Sequence, residues 1–461
     1  MEEYEYVELD KISVECLNKK IMLDGRVHNI RNKKNVGFVI LRNGMNSIQC
    51  VLIRKQIGDN KYTNICNIPS ESYVKIYGKL NELPENIVKI ESCGYNNFEL
   101  IMDDCELVSK SYNILPFQID EANNDDDNRQ NVLLSTKLDN RWFDLRTPIN
   151  NCIFKLQSGI CELFRNYLLN KQFMEIHTPK LTNVASESGA QVFEVKYFNK
   201  MAYLAQSPQL YKQMCINSDF DRVFEVGSVF RAENANSHRH LTEFMGMDVE
   251  LVIPPNKNYY YIVDMLWDLL RYIYTNLKIK YQKEYNYVKK NHKFDDLVFP
   301  QNPLLIDYKK AAELLNENGF VQNPLNDLST ENERELGKIV KRIYNSDLFI
   351  LDKFPTSVRP FYTMISESDT NYTNSYDLIM RGEEICSGAQ RIHDYQMLKE
   401  NINKKNINEK SLEDYIGSFA NGSKPHGGFG LGLERILMLI LDLKNVRKSS
   451  LYPRDPIRLT P

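Results

Sequence analysis

The residues best suited to chemistry lie in one stretch, Phe224 to Glu250, in which two strand-like runs flank a loop dense in charge. The loop combines guanidinium groups, an imidazole and a carboxylate. Such a mixed set can hold an anion that also carries hydrogen-bond donors. The loop residues concerned are Arg231, Glu233, Arg239 and His240.

The second strand-like run of this stretch alternates in character. Apolar residues from Met245 to Leu251 are interleaved with Gly246, Asp248 and Glu250, which is the period of a half-buried strand. If the apolar side chains face the core, the two carboxylates share the opposite face with the glycine. The missing side chain at Gly246 would then let a ligand approach the backbone beside both carboxylates.

Further segments supply groups that complement this stretch. The glycine-rich run 427–432 lacks both the Gly-Lys-Ser/Thr of a phosphate loop and the spacing of a dinucleotide site. On its own it indicates a close backbone approach, more often to a helix than to a ligand. The other candidate groups are Glu187, Gln209, Lys212, Asp377, Glu384, Ser387, Arg391 and Arg435.

The composition is that of an ordinary globular protein, with 42% hydrophobic and 26% charged residues among 461, enough for two or three domains. No apolar run approaches the roughly 18 residues of a membrane span, and the acidic N-terminus fits neither a signal nor a transit peptide. Nine cysteines without a CxxC pair predict reduced thiols in the cytoplasm rather than disulfides or a zinc site. With a net charge of −3, nucleic acid would have to be bound through local patches and shape.

The segment up to about residue 110 predicts a small all-β unit, and its five strand-sized runs suit an OB-type barrel. Residues 18–36 carry six Lys or Arg against one Asp, and Asn43-Gly44 signals a two-residue type I′ hairpin turn. Counting outward from that turn places Phe38 opposite Gln49, an aromatic ring that can stack on a base beside an amide that can bind its edge. The alternatives are a solvated strand edge for the basic stretch and a plain core role for Phe38.

The rest of the chain follows a polar, acidic hinge and mixes helical with strand-like segments. The strand-like run 173–182 contains Pro179, which implies a sheet edge or end, either in an ordinary packing unit or at a subunit interface. The Lys- and Tyr-rich stretch 278–295 is interpreted as a loop or a basic surface patch. Helices are predicted over residues 153–170, 259–277, 308–318 and 331–345.

Taken in order, these segments resemble the class II aminoacyl-tRNA synthetases. FMEIHTPKLT with Pro179 is similar to motif 1 of that class, FRAE with RHLTEF to motif 2, and GLGLERILM to motif 3. Within the class, QSPQLYKQ, RGEEICSGAQRIHD and the terminal YPRDPIRLTP resemble the aspartyl enzymes of archaeal and eukaryotic type. The resemblance covers about residues 20 to 461 and depends on the ordered set, because any single motif is weak.

The resemblance implies an α+β protein in three parts. Residues 1–110 would form a five-stranded OB-fold that binds the tRNA anticodon, with Phe38 and Gln49 as candidate contacts. Residues 111–145 would form a hinge. Residues 146–461 would form the class II catalytic domain, a six-stranded antiparallel sheet flanked by helices. A cytoplasmic homodimer joined through the motif-1 region, with no membrane partner, is also implied.

The implied reaction joins L-aspartate to ATP, giving aspartyl-adenylate, and then transfers the aspartyl group to the 3′ end of tRNA(Asp). The α-carboxylate of aspartate is already ionised, so the first step needs positioning and charge neutralisation rather than a general base. The resemblance implies that Arg231 bridges this carboxylate and the α-phosphate. It also implies that Glu233 accepts from the adenine amino group and that Phe244 stacks on the ring.

The resemblance assigns the other candidates by ligand. Arg239, His240 and Arg435 would hold the outer phosphates, and the further ATP contacts would be Ala232, Leu241, Glu384, Gly432, Leu433 and Glu434. The implied ligands of Mg²⁺, the implied cofactor, are the hard oxygen donors Asp377, Glu384 and Ser387. The implied aspartate contacts are Glu187, Gln209, Lys212, Arg231, Asp248, Ser387 and Arg391.

Among the aspartate contacts, charge predicts the selection of the substrate. Arg391 can take the side-chain carboxylate in a bidentate fork, with Lys212 as a second cation. Asp248 and Gln209 would take the ammonium, and Glu187 would close over it. Plainer roles remain open: a surface position for Lys212, a solvated helix charge for Arg435, and pairing of Asp377 or Glu384 with a structural arginine.

Three rival functions share some of these features, and one of them, a related amide-forming asparagine synthetase, is disfavoured because it lacks the anticodon barrel predicted around Phe38. An asparaginyl-tRNA synthetase has the same scaffold, although Lys212 and the Arg454-Asp455-Pro456 tail speak against it. A catalytically inactive RNA-binding paralogue would lack some of the polar candidates, all of which are present. Whether tRNA(Asn) is charged as well depends on details around residues 80–97 that the sequence does not reveal.

Overall fold

The computed structural model divides the chain into two units, Met1–Cys152 and Ile153–Pro461. Glu187 and part of the predicted acidic hinge, the run Asp125 to Asp127, lie outside the described residues. Within the part of the chain that the structure describes, no helix is long and apolar enough to cross a membrane. The described residues are 4–83, 93–112, 114–123, 132–183 and 191–461.

The first unit consists of strands followed by short helices. Its last helix, α6, runs on into the second unit. The elements in chain order are β1 (Glu5–Tyr6), β2 (Lys20–Lys33), β3 (Val36–Asn43), β4 (Asn46–Ile53), α1 (Arg54–Ile57), α2 (Asp59–Cys66), β5 (Tyr73–Glu82), β6 (Tyr95–Ser109), α3 (Ile119–Asn123), α4 (Leu134–Asp139), α5 (Arg141–Asp144) and α6 (Pro148–Asn170).

Among the described residues, five strands of this unit close into a barrel in the order β2-β3-β4-β6-β5, with β5 pairing back onto β2. Strand β1 pairs parallel with β2 outside that ring. Along β2, buried residues alternate with partly exposed ones, and Ile21, Leu23 and Val27 are at most 1% exposed. One side of the strand therefore fills the barrel, and the predicted five-stranded OB-type barrel is confirmed.

The turn between β3 and β4 differs from the predicted one. Asn43 pairs with Asn46, so Gly44 and Met45 form the turn. Gly44 has a φ of 58°, and a positive φ at the first central residue is the pattern of a type II′ turn rather than a type I′ turn. The prediction of an Asn43-Gly44 turn was therefore wrong by one residue.

The corrected turn changes the pairing of the hairpin. Gln49 lies opposite Ile40, and Phe38 lies opposite Val51. The predicted direct pairing of Phe38 with Gln49 was wrong, but the two remain diagonal neighbours on one face of the ribbon. Both are only partly buried, and the ammonium of Lys33 lies 5.8 Å from the centroid of the Phe38 ring.

The second unit contains a large sheet, a small sheet and the longer helices. Its elements are β7 (Met174–Glu175), β8 (Leu181–Thr182), β9 (Glu194–Tyr197), β10 (Lys200–Leu204), α7 (Gln209–Asn217), β11 (Arg222–Phe230), β12 (Glu243–Val252), α8 (Tyr260–Lys280), α9 (Gln282–His292), β13 (Leu305–Asp307), α10 (Tyr308–Glu317), α11 (Thr330–Tyr344), β14 (Leu348–Asp352), β15 (Ser375–Met380), β16 (Glu383–Gln390), α12 (Tyr395–Lys404), α13 (Glu413–Gly417), β17 (His426–Gly432) and α14 (Leu433–Ile440).

In the described ranges the large sheet has eight strands, in the order β13-β14-β15-β16-β17-β12-β11-β7. The six strands from β14 to β11 pair antiparallel, while β13 and β7 pair parallel at the two edges. The small sheet has the order β8-β10-β9. The implied six-stranded antiparallel sheet is confirmed and is extended by one short strand at each edge.

The predicted helices are confirmed as α6, α8, α10 and α11, with ends that shift by a few residues. The apolar side of α8 is core, since Ile262, Leu266 and Ile273 are 0% exposed. Residues 282–292 form α9, so the interpretation of 278–295 as a loop was wrong. Tyr285 and Val288 anchor α9 as buried residues one turn apart.

Strand β17 lies beside β12 and is rich in glycine. Gly430 pairs with Asp248, and Gly428 pairs with Glu250. A Cβ at Gly430 would lie 2.9 Å from Asp248 Oδ1, and one at Gly428 would lie 2.0 Å from the carbonyl oxygen of Val249. At these two positions the predicted close approach is therefore made to β12, whereas a Cβ at Gly427 would also lie 2.7 Å from Ile262 Cδ1 of α8.

Candidate active site

A cavity of about 400 Å³ opens over the part of the large sheet formed by β11, β12, β17 and β16. Its walls come from the start of α7, the loop between β11 and β12, the segment 359–363 and the first turn of α14. Gly246, Gly388 and Gly430 are part of its lining. The missing side chains at Gly388 and Gly430 make room for the Tyr376 ring and the Asp248 carboxylate, which would lie 2.4 and 2.9 Å from a Cβ at each position.

Most of the site residues predicted from the sequence line this cavity. Ala232, Leu433 and Asp377 are described but do not line it. Phe38 and Gln49 belong to the first unit. The predicted residues that line the cavity are Gln209, Lys212, Arg231, Glu233, Arg239, His240, Leu241, Phe244, Asp248, Glu384, Ser387, Arg391, Gly432, Glu434 and Arg435.

Two cations and two carboxylates interlock beside this cavity, and we call them the charged quartet: Lys212, Arg391, Asp248 and Glu250. Arg391 donates Nε and Nη2 to the two oxygens of Glu250, at 2.9 and 3.1 Å. Lys212 Nζ lies 3.3 Å from Glu250 Oε2 and 3.1 Å from Asp248 Oδ1. Glu250 is 0% and Lys212 2% exposed. A fork of this kind fixes the orientation of the guanidinium.

The quartet keeps its charges because its members compensate one another. Burial acts to raise the pKa of Glu250, but Arg391 and Lys212 outweigh it and hold that pKa below its ordinary value. Burial acts to lower the pKa of Arg391, but the Glu250 carboxylate outweighs it and raises that pKa. The cavity therefore has two fixed cations beside it while the quartet as a whole is neutral.

Arg231 follows the last residue of β11 and lies at the cavity rim. Its guanidinium carbon is 5.5 Å from the centroid of the Phe244 ring, and its backbone N–H donates to the Thr242 carbonyl at 2.9 Å. The side chain is exposed and forms no ion pair with any described residue. The guanidinium is thus held over an aromatic face and can still bind an anion.

A second group of cations lines the cavity through the β11–β12 loop and α14. Arg435 Nη1 donates to the Glu384 carbonyl at 2.8 Å, and its Nη2 donates to the Arg239 carbonyl at 3.3 Å. Burial, with Arg435 and Arg239 nearby, lowers the pKa of His240. The imidazole is therefore neutral at physiological pH and would act as a hydrogen-bonding group rather than as a charge.

The hard oxygen donors lie where β15 and β16 pair. Glu384 and Ser387 line the cavity, whereas Asp377 forms an ion pair with Arg359 at 2.8 Å. Arg359 Nη1 also donates to Ser387 Oγ at 2.9 Å. Burial raises the pKa of Asp377 to about 7, with Arg359 opposing this shift. Among the described residues, no three His, Cys, Asp or Glu side chains form a metal cage, so a Mg²⁺ ion would need phosphate oxygens as further ligands.

A buried carboxylic acid, Glu434, sets the position of β12 beside the cavity. Both oxygens of Glu434 accept from the Met245 backbone N–H, at 3.2 and 3.1 Å, which joins α14 to the start of β12. Burial raises the pKa of Glu434 to about 7. The Glu434 side chain therefore holds the start of β12 in place. Because Glu434 also lines the cavity, its contact with ATP remains a prediction.

The loop between β11 and β12 is clamped by the last segment of the chain. Arg447 donates to the Ser237 carbonyl at 2.9 Å and to Asn236 Oδ1 at 2.6 Å. Its Nε donates to Asp455 Oδ2 at 2.6 Å. The backbone N–H of Val446 donates to the His238 carbonyl at 2.8 Å. The C-terminal segment therefore sets the position of the loop that carries the cations.

Two residues that line the cavity were missed in the sequence, and Glu250 was found without a role. Arg359 and Tyr362 line the cavity, but they lie in an irregular segment without periodicity. Glu250 had no predicted role because the sequence shows its strand and not its partners. Arg359 directly precedes a proline in a loop, and a cation on a rigid loop was the one signal that could have identified it.

Two family models match the chain. The model for "tRNA synthetases class II (D, K and N)" matches residues 134–456. The model for an "OB-fold nucleic acid binding domain" matches residues 21–108. The first match contains the cavity and the charged quartet, and the second contains most of the barrel.

Individual proteins are similar over nearly the whole chain. A Caenorhabditis elegans protein named "aspartate–tRNA ligase, cytoplasmic" is 43% identical over 468 residues, covering 99% of this chain and 87% of that protein. The solved aspartyl-tRNA synthetase of Entamoeba histolytica matches with a TM-score of 0.90 and 38% identity, covering 99% and 93%. An asparaginyl-tRNA synthetase of Pyrococcus horikoshii, complexed with asparaginyl-adenylate, matches with a TM-score of 0.87 and 27% identity, covering 100% of both chains.

Proposed function

The chain belongs to the class II aminoacyl-tRNA synthetases and, within them, to the aspartate–tRNA ligases, and from that premise we propose how its own residues bind and join the substrates. The substrates are L-aspartate, ATP and tRNA. The first step joins the α-carboxylate of aspartate to the α-phosphorus of ATP and releases pyrophosphate. The second step moves the aspartyl group to the 3′ end of the tRNA.

Arg231 serves the reacting centre in this proposal. Its guanidinium bridges the attacking carboxylate and the α-phosphate, where negative charge accumulates in the transition state. Phe244, 5.5 Å from that guanidinium, stacks on adenine, and Glu233 accepts from the adenine amino group. Arg239, His240 and Arg435 hold the outer phosphates. The exposure of the Arg231 side chain supports its role, because the substrates can reach its guanidinium from the cavity.

The charged quartet is the observation that carries the selection of aspartate. Arg391 and Lys212 receive the side-chain carboxylate of the substrate, and Asp248, with Gln209, receives its ammonium. Glu250 stays beneath both cations and keeps them oriented. The side-chain NH₂ of asparagine would face the donors Arg391 and Lys212 and leave buried polar groups unpaired. A mismatch of this kind can lower kcat/KM for asparagine by roughly 10⁴-fold relative to aspartate.

Mg²⁺ is proposed as the cofactor, and the donor set fits it. The Glu384 carboxylate and the Ser387 hydroxyl line the cavity, next to the groups assigned to the outer phosphates. The ion would supply neutralisation of phosphate charge. Asp377 supports this edge from behind, since its ion pair with Arg359 and the bond from Arg359 to Ser387 keep Ser387 in place.

We assign the first unit to the tRNA. The barrel within residues 1–110 binds the anticodon, with Phe38 stacking on a base and Gln49 as its diagonal polar neighbour. Residues 111–145 act as the hinge, and residues 146–461 form the catalytic domain. The basic strand β2 supplies positive charge for the phosphate backbone.

A homodimer through the motif-1 region is proposed from exposed apolar side chains. Leu169, Met174 and Leu181 are 41 to 52% exposed around the end of α6, edge strand β7 and strand β8. Phe198, in the turn between β9 and β10, and Met201, in β10, are 81% and 52% exposed. A patch of this kind is typical of a subunit interface. Light scattering should give the mass of two chains, and the mass of one chain at micromolar concentration would contradict the proposal.

We propose the cytoplasm as the site of action. Relatives at 43% identity carry the word cytoplasmic in their names. The nine free cysteines, four of them buried, are compatible with a reducing compartment. Fluorescence microscopy of a tagged full-length chain would test this assignment, and an organellar pattern would contradict it.

The experiment that tests the amino-acid assignment is ATP–pyrophosphate exchange with aspartate and asparagine in parallel. Exchange should depend on aspartate and on Mg²⁺, with asparagine lower by roughly 10⁴-fold in kcat/KM. Lys212→Met should lose aspartate-dependent exchange without gaining exchange with asparagine. Exchange with asparagine alone would overturn the assignment, and activity that persists in metal chelator would overturn the role of Mg²⁺.

A further inference from the structure

Helix α11 packs its first turns against the phosphate side of the cavity. A Cβ at Gly337 would lie 2.4 Å from the Cα of Gly382, in the turn between β15 and β16, so helix and hairpin meet backbone to backbone. Ser329 caps the helix by accepting from the Asn332 N–H. The backbone contact at Gly337 fixes α11 relative to the turn between β15 and β16, and the Ser329 cap orders the first turn of the helix.

Glu333, in that first turn, binds two parts of the cavity with one oxygen. Its Oε1 accepts from the Glu384 backbone N–H at 2.6 Å and from Arg239 Nη1 at 3.1 Å. Arg239 Nη2 also donates to Thr330 Oγ1 at 2.9 Å. Glu333 is 9% exposed and does not itself line the cavity. One buried carboxylate thus joins the loop that carries Arg239 to the strand that carries Glu384.

We propose that Glu333 is a positioning residue for adenylate formation, which holds Arg239 in register with the edge at Glu384. The inference rests on the proposed function, in which Arg239 binds the outer phosphates and Glu384 helps to hold Mg²⁺. Pyrophosphate can leave in line only if both groups meet the same phosphates at once. A link that fixes the distance between Arg239 and Glu384 therefore helps to bind the outer phosphates of ATP. It has no direct effect on the parts of the site that bind adenosine or aspartate.

Arg334, the residue after Glu333, makes a second link between the β11–β12 loop and β16. Arg334 Nη2 lies 2.9 Å from His238 Nε2 and 3.5 Å from Glu383 Oε1. His238 Nε2 is itself 2.7 Å from Glu383 Oε1. Two successive residues of α11 thus each join the β11–β12 loop to the start of β16. The exposed surface around this second link makes it the weaker of the two, so the test concerns Glu333.

Two variants at Glu333 separate its two contacts, and three further variants serve as controls. Glu333→Gln keeps an acceptor for the Glu384 N–H but has no charge for Arg239, and Glu333→Ala removes both. Glu331→Gln is the matched control, because Glu331 lies exposed in the same turn. Arg239→Ala removes the partner, and Arg239→Ala combined with Glu333→Gln tests whether the two residues act together.

The measurement is calorimetric binding of ATP with Mg²⁺, and of AMP, in the absence of aspartate. AMP lacks the outer phosphates and so reports the rest of the site. Glu333→Gln should raise the Kd for ATP about fivefold, the scale of one charge-assisted hydrogen bond. Glu333→Ala should raise it further. The Kd for AMP and the KM for aspartate should stay within about twofold of wild type, and Glu333→Gln should add nothing to Arg239→Ala.

Distinct results would overturn distinct statements. If Arg239→Ala leaves the ratio of ATP to AMP affinity unchanged, the proposed role of Arg239 fails, and the inference about Glu333 fails with it. If Arg239→Ala lowers that ratio and Glu333→Gln does not, the inference alone fails. Equal loss of ATP and AMP binding in Glu333→Gln would show a purely structural role. Should Glu333→Ala not fold, Glu333→Gln decides the question by itself.

Discussion

Replacing Arg231 with Ala should lower aspartate-dependent ATP–pyrophosphate exchange by about 10³-fold, the scale on which removal of one preorganised transition-state donor acts. The effect should fall mainly on kcat, because charge accumulates between the carboxylate and the α-phosphate only as they react. The folded state should be nearly unaffected. Arg231 is exposed, and its guanidinium contacts the face of Phe244, so its removal should change the free energy of unfolding by less than about 0.5 kcal/mol.

Two further variants, Arg222→Ala and Arg231→Lys, serve as comparisons for this prediction. Arg222→Ala removes an arginine from the other end of β11, where it donates to the Lys171 carbonyl at 2.8 Å, and should leave exchange intact. Arg231→Lys keeps the charge but loses the fork, so its rate should lie between those of wild type and Ala. Retention of most exchange activity by Arg231→Ala would contradict the assignment. Unimpaired tRNA binding by the same variant would confine the defect to the chemical step.

Glu250→Gln should be the most damaging change that removes only a charge. Glu250 is 0% exposed and accepts from Arg391 at 2.9 and 3.1 Å, with Lys212 Nζ at 3.3 Å. An amide leaves two buried cations facing the single carboxylate of Asp248. Breaking a buried pair in this way costs about 3 to 5 kcal/mol of folding free energy, and the cations that remain should lose the orientation that binds aspartate.

Urea unfolding and the KM for aspartate test this prediction together. Asp221→Asn is the control, because it makes the same carboxylate-to-amide change in an exposed pair with Lys424 at 2.7 Å. It should cost little folding free energy, because exposed ion pairs contribute little to stability, and it should not affect the KM. If Glu250→Gln unfolds like the control, the carboxylate does not support the quartet. If stability falls but the KM for aspartate does not rise, its role is confined to folding.

The local pattern of the sequence was enough to place β12 and its carboxylates. The alternation from Met245 to Leu251 predicted one strand with Asp248 and Glu250 on a shared face, and β12 spans Glu243–Val252. The ordered motifs also predicted most of the residues that line the cavity. These features are local, because side-chain period and motif order do not depend on which strands become neighbours.

The sequence did not predict which residues from distant parts of the chain contact the site residues. Glu250 is matched with Arg391, 141 residues away, and Glu384 with Glu333, 51 residues away. Glu333 lies three residues before Leu336 and seven before Val340, on the buried side of α11, but the period of a helix does not show which distant residues that side meets. The hairpin error had a different cause, since Asn43-Gly44 and Gly44-Met45 are both plausible two-residue turns and packing of the barrel decides between them.

The glycines of β17 differ in how they restrict replacement, with consequences for any effort to evolve a new amino-acid specificity. At Gly430 the obstacle to a methyl group is the side chain of Asp248, 2.9 Å away. Alanine at position 430 should become tolerable once a shorter side chain replaces Asp248. The substitution at 248 therefore has to come first. At Gly428 the obstacle is a backbone oxygen at 2.0 Å, which no substitution removes. Position 430 can thus vary only after position 248 has changed, whereas position 428 must remain glycine in any sequence that keeps this sheet.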